Sequence, residues 1–271
     1  MEVKTSPPSE IAQTWIATGV AKAKSPALKL FILGIFAGVF IGLGGTGYLY
    51  IMGMCDIPGI NKLLGASVFP CGLMLVIYCG AELWTGNNLL TLALMDKKIT
   101  LSEMLYNWGL VYLGNIVGSY LLAWAVTASG LFSSDPILTV VQNVAAAKVG
   151  LTLGRAVIRG VLCNILVVLA CWMQAASRDL IGKLIAVWFP IMLFVLIGFE
   201  HSIANMFFIP LGQFLGASVT FADAWLRNIL PVTVGNFIGG ALIVPCAYYI
   251  CYVNQSTSQK PAPPQQQKKK K

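Results

Sequence analysis

His201 is the only histidine in the chain. It sits beside Glu200 inside an otherwise apolar run from Leu184 to Leu215. Ionisable groups at membrane depth are costly, and they face a cavity, a partner or a permeation path. Imidazole titrates closer to neutrality than any other side chain, so His201 can exchange a proton under ordinary conditions. A partial copy of its surroundings lies far upstream. Gly80-Ala81-Glu82-Leu83-Trp84-Thr85-Gly86-Asn87 and Gly198-Phe199-Glu200-His201-Ser202-Ile203-Ala204-Asn205 both read Gly-x-Glu-x-x-x-x-Asn. We read them as two breaks in membrane helices that face each other across a pore.

Other chemistries find less support. There is no second histidine for a metal site, and no nucleophile or cofactor motif accompanies Glu200 and His201. An intramembrane enzyme is therefore disfavoured, and neither metal nor cofactor is expected. The seven cysteines show no Cys-x-x-Cys spacing, and most lie inside apolar stretches as small hydrophobes.

Hydrophobic residues make up 57% of the 271 positions and charged ones only 10%, against about 25% charged in soluble domains. The composition identifies an all-α integral membrane protein. Its net charge of +8 reflects orientation signals and a tail rather than nucleic-acid binding. Residues 1–26 lack the apolar core and cleavage site of a leader, so no cleavable signal is expected. Within them, Ile11 to Ala23 suits a short helix along the membrane surface.

Six spans are expected. They run over about 27–52, 63–95, 105–132, 156–173, 184–215 and 230–252, with a polar loop carrying Ser133, Asp135, Pro136 and Lys148 after the third. The second and fifth are too long for one straight crossing and hold the two Gly-x-Glu stretches. Two half-helices joined by irregular backbone fit there, provided that backbone lines a cavity. Residues 254–271, rich in Gln, Pro and Lys, read as a disordered basic tail. With six spans both ends share a side. That side carries 13 basic residues and the other 5, so both termini are expected in the cytoplasm and the protein in the plasma membrane.

The third and sixth spans share a further pattern. Asn107-x6-Gly114-Asn115-x-x-Gly118 matches Asn228-x6-Gly235-Asn236-x-x-Gly239. The domain organisation is thus a cytoplasmic segment (1–26), a transmembrane domain (27–253) built from repeats of about 27–132 and 150–253, and the tail. Three spans per repeat force the second copy to enter the membrane from the opposite face. The Asn-Pro-Ala caps of a neutral-solute channel of the aquaporin kind, the main alternative, are absent.

Together with Glu200-His201-Ser202-Ile203-Ala204-Asn205-Met206, Gly80-Ala81-Glu82-Leu83-Trp84-Thr85-Gly86 and Pro231-Val232-Thr233-Val234-Gly235-Asn236, the chain resembles the formate/nitrite transporter family; Ala37-Gly38-Val39-Phe40 and Gly114-Asn115 also fit. The resemblance implies an aquaporin-like fold of six helices per protomer, a homopentamer, and one pore in each protomer for small monovalent anions such as formate, acetate, lactate, nitrite or hydrosulfide, often with a proton. It implies a central pore histidine at His201, with the Thr85 hydroxyl as its partner and Asn164 and Asn205 as polar neighbours. It places Phe69, Leu73, Leu83, Trp84 and Phe194 at apolar constrictions, with Trp84 standing where phenylalanine is commoner. Lys22 and Lys148 are implied as vestibule lysines at the two pore mouths. Glu82, Glu200, Asn115 and Asn236 read as supports of the breaks, the glutamates by accepting bonds from loose backbone N–H groups. The partners expected are the anion, a proton, the lipid bilayer and other copies of the chain.

Overall fold

A computed structural model describes residues 5–254, and these are nearly all helical. Helix α1 (Pro8–Ala23) leads into α2 (Ala27–Met54). Helices α3 (Ile60–Val68) and α4 (Cys71–Tyr78) join through the turn at Phe69-Pro70 into one crossing. An irregular stretch and a 3₁₀ turn (Gly86–Leu89) then lead into α5 (Leu90–Met95). Helix α6 (Leu101–Ala128) closes the first half. The second half repeats the plan with α7 (Ile137–Val149), α8 (Leu153–Ala176), α9 (Leu180–Ile197) and α10 (Ser202–Phe214). Its last crossing runs from Asp223 to Tyr252, where two wide π-helical turns flank α11 (Leu230–Phe237) and lead into α12 (Val244–Tyr252). Six of these stretches are long and apolar enough to cross a membrane.

The helix starts follow from local chemistry. Thr100 accepts from Glu103 N–H while the Glu103 carboxylate accepts from Thr100 N–H, a reciprocal cap on α6. Thr152 accepts from Arg155 N–H and Asp179 from Gly182 N–H, one-way caps on α8 and α9. Helix–helix contact relies on missing side chains. Gly118 of α6 lies so close to α2 that a Cβ there would strike the Ile35 carbonyl, and a Cβ on Gly239 would strike the Val161 carbonyl of α8. Small residues at such crossings let backbones meet, which is how membrane helices gain packing without a hydrophobic drive between them.

One expectation changes. Residues 137–149 form a helix rather than a polar loop, with Ile137, Val141 and Ala145 buried at four-residue spacing on one face. The face packs on α10 and α2. Helix α1 turns one face (Ile11, Ala12, Trp15, Ile16, Gly19, Ala23) onto α5, α6, α8 and α12, leaves Gln13, Thr14, Ala17 and Ala21 exposed on the other, and is preceded by Ser6, whose N–H donates to the Ala176 carbonyl at 2.8 Å. The tail from residue 255 onward lies outside the described residues.

Candidate functional site

Both breaks begin in the same way. Helix α4 ends at Gly80 (φ +78°) and α9 at Gly198 (φ +88°), a backbone region open to glycine at little cost. Ala81 N–H donates back to the Val76 carbonyl at 2.9 Å, and Phe199 N–H to the Phe194 carbonyl at 3.0 Å. The chain then runs extended through Glu82 and Glu200. Here its polar backbone needs outside partners, because lipid supplies none.

Those partners come in matched sets. Asn115 Oδ1 accepts from Trp84 N–H at 3.0 Å, while its Nδ2 donates to the carbonyls of Gly34 (2.8 Å) and Glu82 (2.9 Å). Asn236 Oδ1 accepts from Ser202 N–H at 2.9 Å, and its Nδ2 donates to the carbonyls of Gly160 (2.8 Å) and Glu200 (3.0 Å). Glu82 N–H donates to the Leu33 carbonyl at 3.1 Å, and Glu200 N–H to the Arg159 carbonyl at 3.3 Å.

The glutamate side chains do something other than expected. They take side-chain donors, not the loose N–H groups of the breaks. The Glu82 carboxylate accepts from Lys22 Nζ at 2.8 Å and Asn87 Nδ2 at 2.7 Å; Asn87 also donates to Asn107 Oδ1, which in turn donates from Nδ2 to the Lys22 carbonyl. The Glu200 carboxylate accepts from Lys148 Nζ at 3.2 and 3.3 Å and from Asn205 Nδ2 at 2.6 Å. Asn205 donates to Asn228 Oδ1, and Asn228 to the Lys148 carbonyl. The likeness between the halves therefore reaches back to α1 and α7, which carry the two lysines.

Between the breaks, His201 is enclosed. Its Nε2 lies 2.9 Å from Thr85 Oγ1, and its Nδ1 accepts from Ala204 N–H at 3.1 Å. A backbone N–H can only donate, so the ring as held is neutral with its hydrogen on Nε2, and Thr85 Oγ1 is the acceptor. The Phe194 ring stacks over the imidazole with centroids 5.9 Å apart, and Phe69 meets Phe194 edge-on at 5.8 Å.

A chain of cavities passes this point. A vestibule of about 220 Å³ is lined by Tyr48, Phe208, Lys148 and Asn205 and reaches Phe69, Phe194 and His201. A second, of about 230 Å³, is lined by Trp15, Lys22, Gly80, Glu82 and Gln174 and reaches Leu73 and Leu83. Between them lies a chamber of about 10 Å³ bounded by Ile41, Phe69, Leu73, Leu83, Val167, Ile191, Phe194 and His201. Among the described residues, His201 is its only polar wall.

The structure thus gathers Phe69, Leu73, Leu83, Phe194 and His201 around one chamber, with Thr85 bonded to the ring from behind. Trp84 stands apart. Its ring turns into an aromatic cluster with Trp108 (6.3 Å) and Tyr112 (5.3 Å), and it lines none of the three cavities. Asn164 also lies off the chamber, in a seam where its Nδ2 donates to Asn88 Oδ1 (2.8 Å) and the Asn236 carbonyl (2.7 Å), with the Thr85 carbonyl at 3.4 Å. Asn107 and Asn228 were legible only as repeat markers; their link to the lysine carbonyls was not. Lys62 and Arg159, which line the Lys148 vestibule, were legible only as charges.

The comparisons with known proteins agree on what such a chain is. A family model described as formate/nitrite transporter matches residues 9–250. The chain is 40% identical to the probable formate transporter of Methanothermobacter thermautotrophicus, covering 92% of this chain and 97% of that protein. It is 37% identical to the formate channel FocA of Escherichia coli K12, covering 92% and 95%. A solved structure described as a pentameric formate channel with formate bound superposes with a TM-score of 0.75 at 33% identity, over 83% of this chain and 97% of that one. Members of this family are channels and transporters rather than enzymes, and the chain belongs to the formate/nitrite transporter family.

Proposed function

We propose that each protomer conducts formate and similarly small monovalent anions (acetate, lactate, nitrite and hydrosulfide being the other candidates), together with a proton, and that the protein works as a homopentamer in the plasma membrane with both termini in the cytoplasm. The chamber carries this reading: about 10 Å³, walled by apolar side chains, with one imidazole as its only polar group. A bare anion is expensive to place there, whereas a neutral acid costs far less. Dehydration in the approach to Phe69 and Phe194 raises the basicity of the anion, and a proton joins it.

His201 assists as a neutral donor. Its Nε2–H faces Thr85 Oγ1 and can turn to the substrate oxygen. Giving that proton up outright would leave an imidazolate, so the transported proton comes from vestibule water and reaches the anion directly or through the ring. Past Leu73 and Leu83 the acid meets water again and releases the proton. The sidedness rests on the basic residues, 13 on the side of the termini against 5 on the other. The pentamer rests on the similarity to the solved pentameric channel.

The test is uptake of radiolabelled formate, acetate, lactate and nitrite into proteoliposomes across pH. Formate flux should rise as pH falls and alkalinise the external medium. His201→Phe should abolish most of the flux and its pH dependence. Absence of flux for every anion, or an unchanged pH profile in His201→Phe, would overturn the proposal.

A further inference from the structure

The hydrogen-bonded frames of the two halves run closely parallel, but the charges at their mouths do not. The vestibule beside α7 is lined by three basic side chains, Lys62, Lys148 and Arg159, and by one acid, Glu200. The vestibule beside α1 is lined by Lys22 and Glu82 alone among charged residues. At both mouths the glutamate is taken by its lysine. That leaves the α1 mouth balanced and the α7 mouth with two surplus cations, since neither Lys62 nor Arg159 forms an ion pair among the described residues.

The repeat identifies what stands in their place on the other side. The Arg159 carbonyl accepts from Glu200 N–H just as the Leu33 carbonyl accepts from Glu82 N–H, so Arg159 corresponds to Leu33. Lys62 precedes Gly80 by the same interval as Leu180 precedes Gly198. Each surplus cation has an apolar counterpart.

We propose that Lys62 and Arg159, with Lys148, form an anion-loading site at the α7 mouth that the α1 mouth lacks. It takes small monocarboxylates while they are still hydrated. Its volume of about 220 Å³ matches about seven waters at about 30 Å³ each, whereas the chamber beyond has no room for a hydration shell. The walls beneath the charges, Tyr48, Phe69 and Phe208, are aromatic, so the anion is held at the rim until it sheds water. The inference rests on the anion-conducting reading above.

A passive pore has equal permeability both ways at low concentration, so the loading site appears instead in the half-saturation concentration on its own side. A unit charge about 10 Å from the anion in water changes local occupancy about twofold, or about fourfold for the pair. The effect vanishes as the Debye length falls from about 30 Å at 0.01 M salt to about 3 Å at 1 M.

The experiment measures saturation of formate flux from each face, using intact cells and inverted vesicles that contain the full chain, at 10 mM and 1 M impermeant salt. At 10 mM, Arg159→Leu with Lys62→Leu should raise the half-saturation concentration on the α7 face about fourfold and at 1 M leave it unchanged, while the value on the other face, whose mouth holds neither residue, stays the same. Arg159→Lys with Lys62→Arg should keep the parent values on both faces. Flux of the leucine variant at 1 M salt should equal that of the parent, which checks folding. An α7-face half-saturation concentration at 10 mM that is the same in the double leucine variant as in the parent, or a rise that persists at 1 M, would overturn the loading site and leave the transport reading intact. No saturable formate flux from either face would overturn both.

Discussion

Replacing Asn115 with leucine and, separately, Asn236 with leucine should cost the protein nearly the same stability. Asn115 serves Trp84 N–H and the Gly34 and Glu82 carbonyls at 3.0, 2.8 and 2.9 Å. Asn236 serves Ser202 N–H and the Gly160 and Glu200 carbonyls at 2.9, 2.8 and 3.0 Å. Both side chains are completely buried. Leaving the N–H of a break without a partner costs about 1–3 kcal/mol, and each lost carbonyl bond adds about 1 kcal/mol. The sum is about 3–5 kcal/mol. Leucine is similar in size, and its apolar burial returns about 1–2 kcal/mol, which leaves a net loss of about 1–4 kcal/mol for either change. The assay is reversible SDS titration of the purified protein in mixed micelles, followed by tryptophan fluorescence. Leu113→Ala, on the exposed side of α6, serves as the near-neutral control. A cost below about 1 kcal/mol at either asparagine, or a gap of more than about 2 kcal/mol between them, would refute the claim that one clamp is built twice.

Further changes bear on other parts of the frame. Gly118→Ala and Gly239→Ala force a methyl onto a neighbouring carbonyl, so each should lower stability by about 1–3 kcal/mol or more in the same titration. Lys148→Met leaves the Glu200 carboxylate with amide partners only; it should cost about 3–5 kcal/mol, and Lys148→Met combined with Glu200→Gln should recover most of that loss. Trp84→Phe trims an aromatic cluster and should cost about 0.5–1.5 kcal/mol, yet leave the formate-to-acetate flux ratio in proteoliposomes unchanged, because the side chain lines none of the three cavities.

Much of this frame was readable from spacing. Glycine and asparagine recurred at matched intervals because a helix break needs both a residue that tolerates positive φ and a side chain that can serve an N–H and two carbonyls at once. The breaks and the six crossings followed. Helix α7 did not, because its 13 residues mix Gln142, Asn143 and Lys148 with small side chains and fall well short of a span. Its buried stripe has meaning only once α10 is there to cover it. The direction of Trp84 was equally hidden. In an extended stretch neighbouring side chains point opposite ways, so Leu83 faces the chamber while Trp84 faces α6, and a sequence position alone does not say which is which. The glutamates were placed correctly beside the breaks, but their partners arrive from Asn87, Asn205 and the lysines of α1 and α7. That pairing depends on how far the flanking helices fold back.

The size of the chamber has a consequence for the energy economy of the membrane. A volume of about 10 Å³ is at the lower limit for a single water. Protons move through water by hopping along an unbroken hydrogen-bonded file, and the walls from Phe69 and Phe194 to Leu73 and Leu83 leave no room for one. On the function proposed above, a pore open to a small acid is closed to free hydronium, each proton crosses as part of a passenger molecule, and an idle pore does not discharge the voltage across the membrane in which it sits.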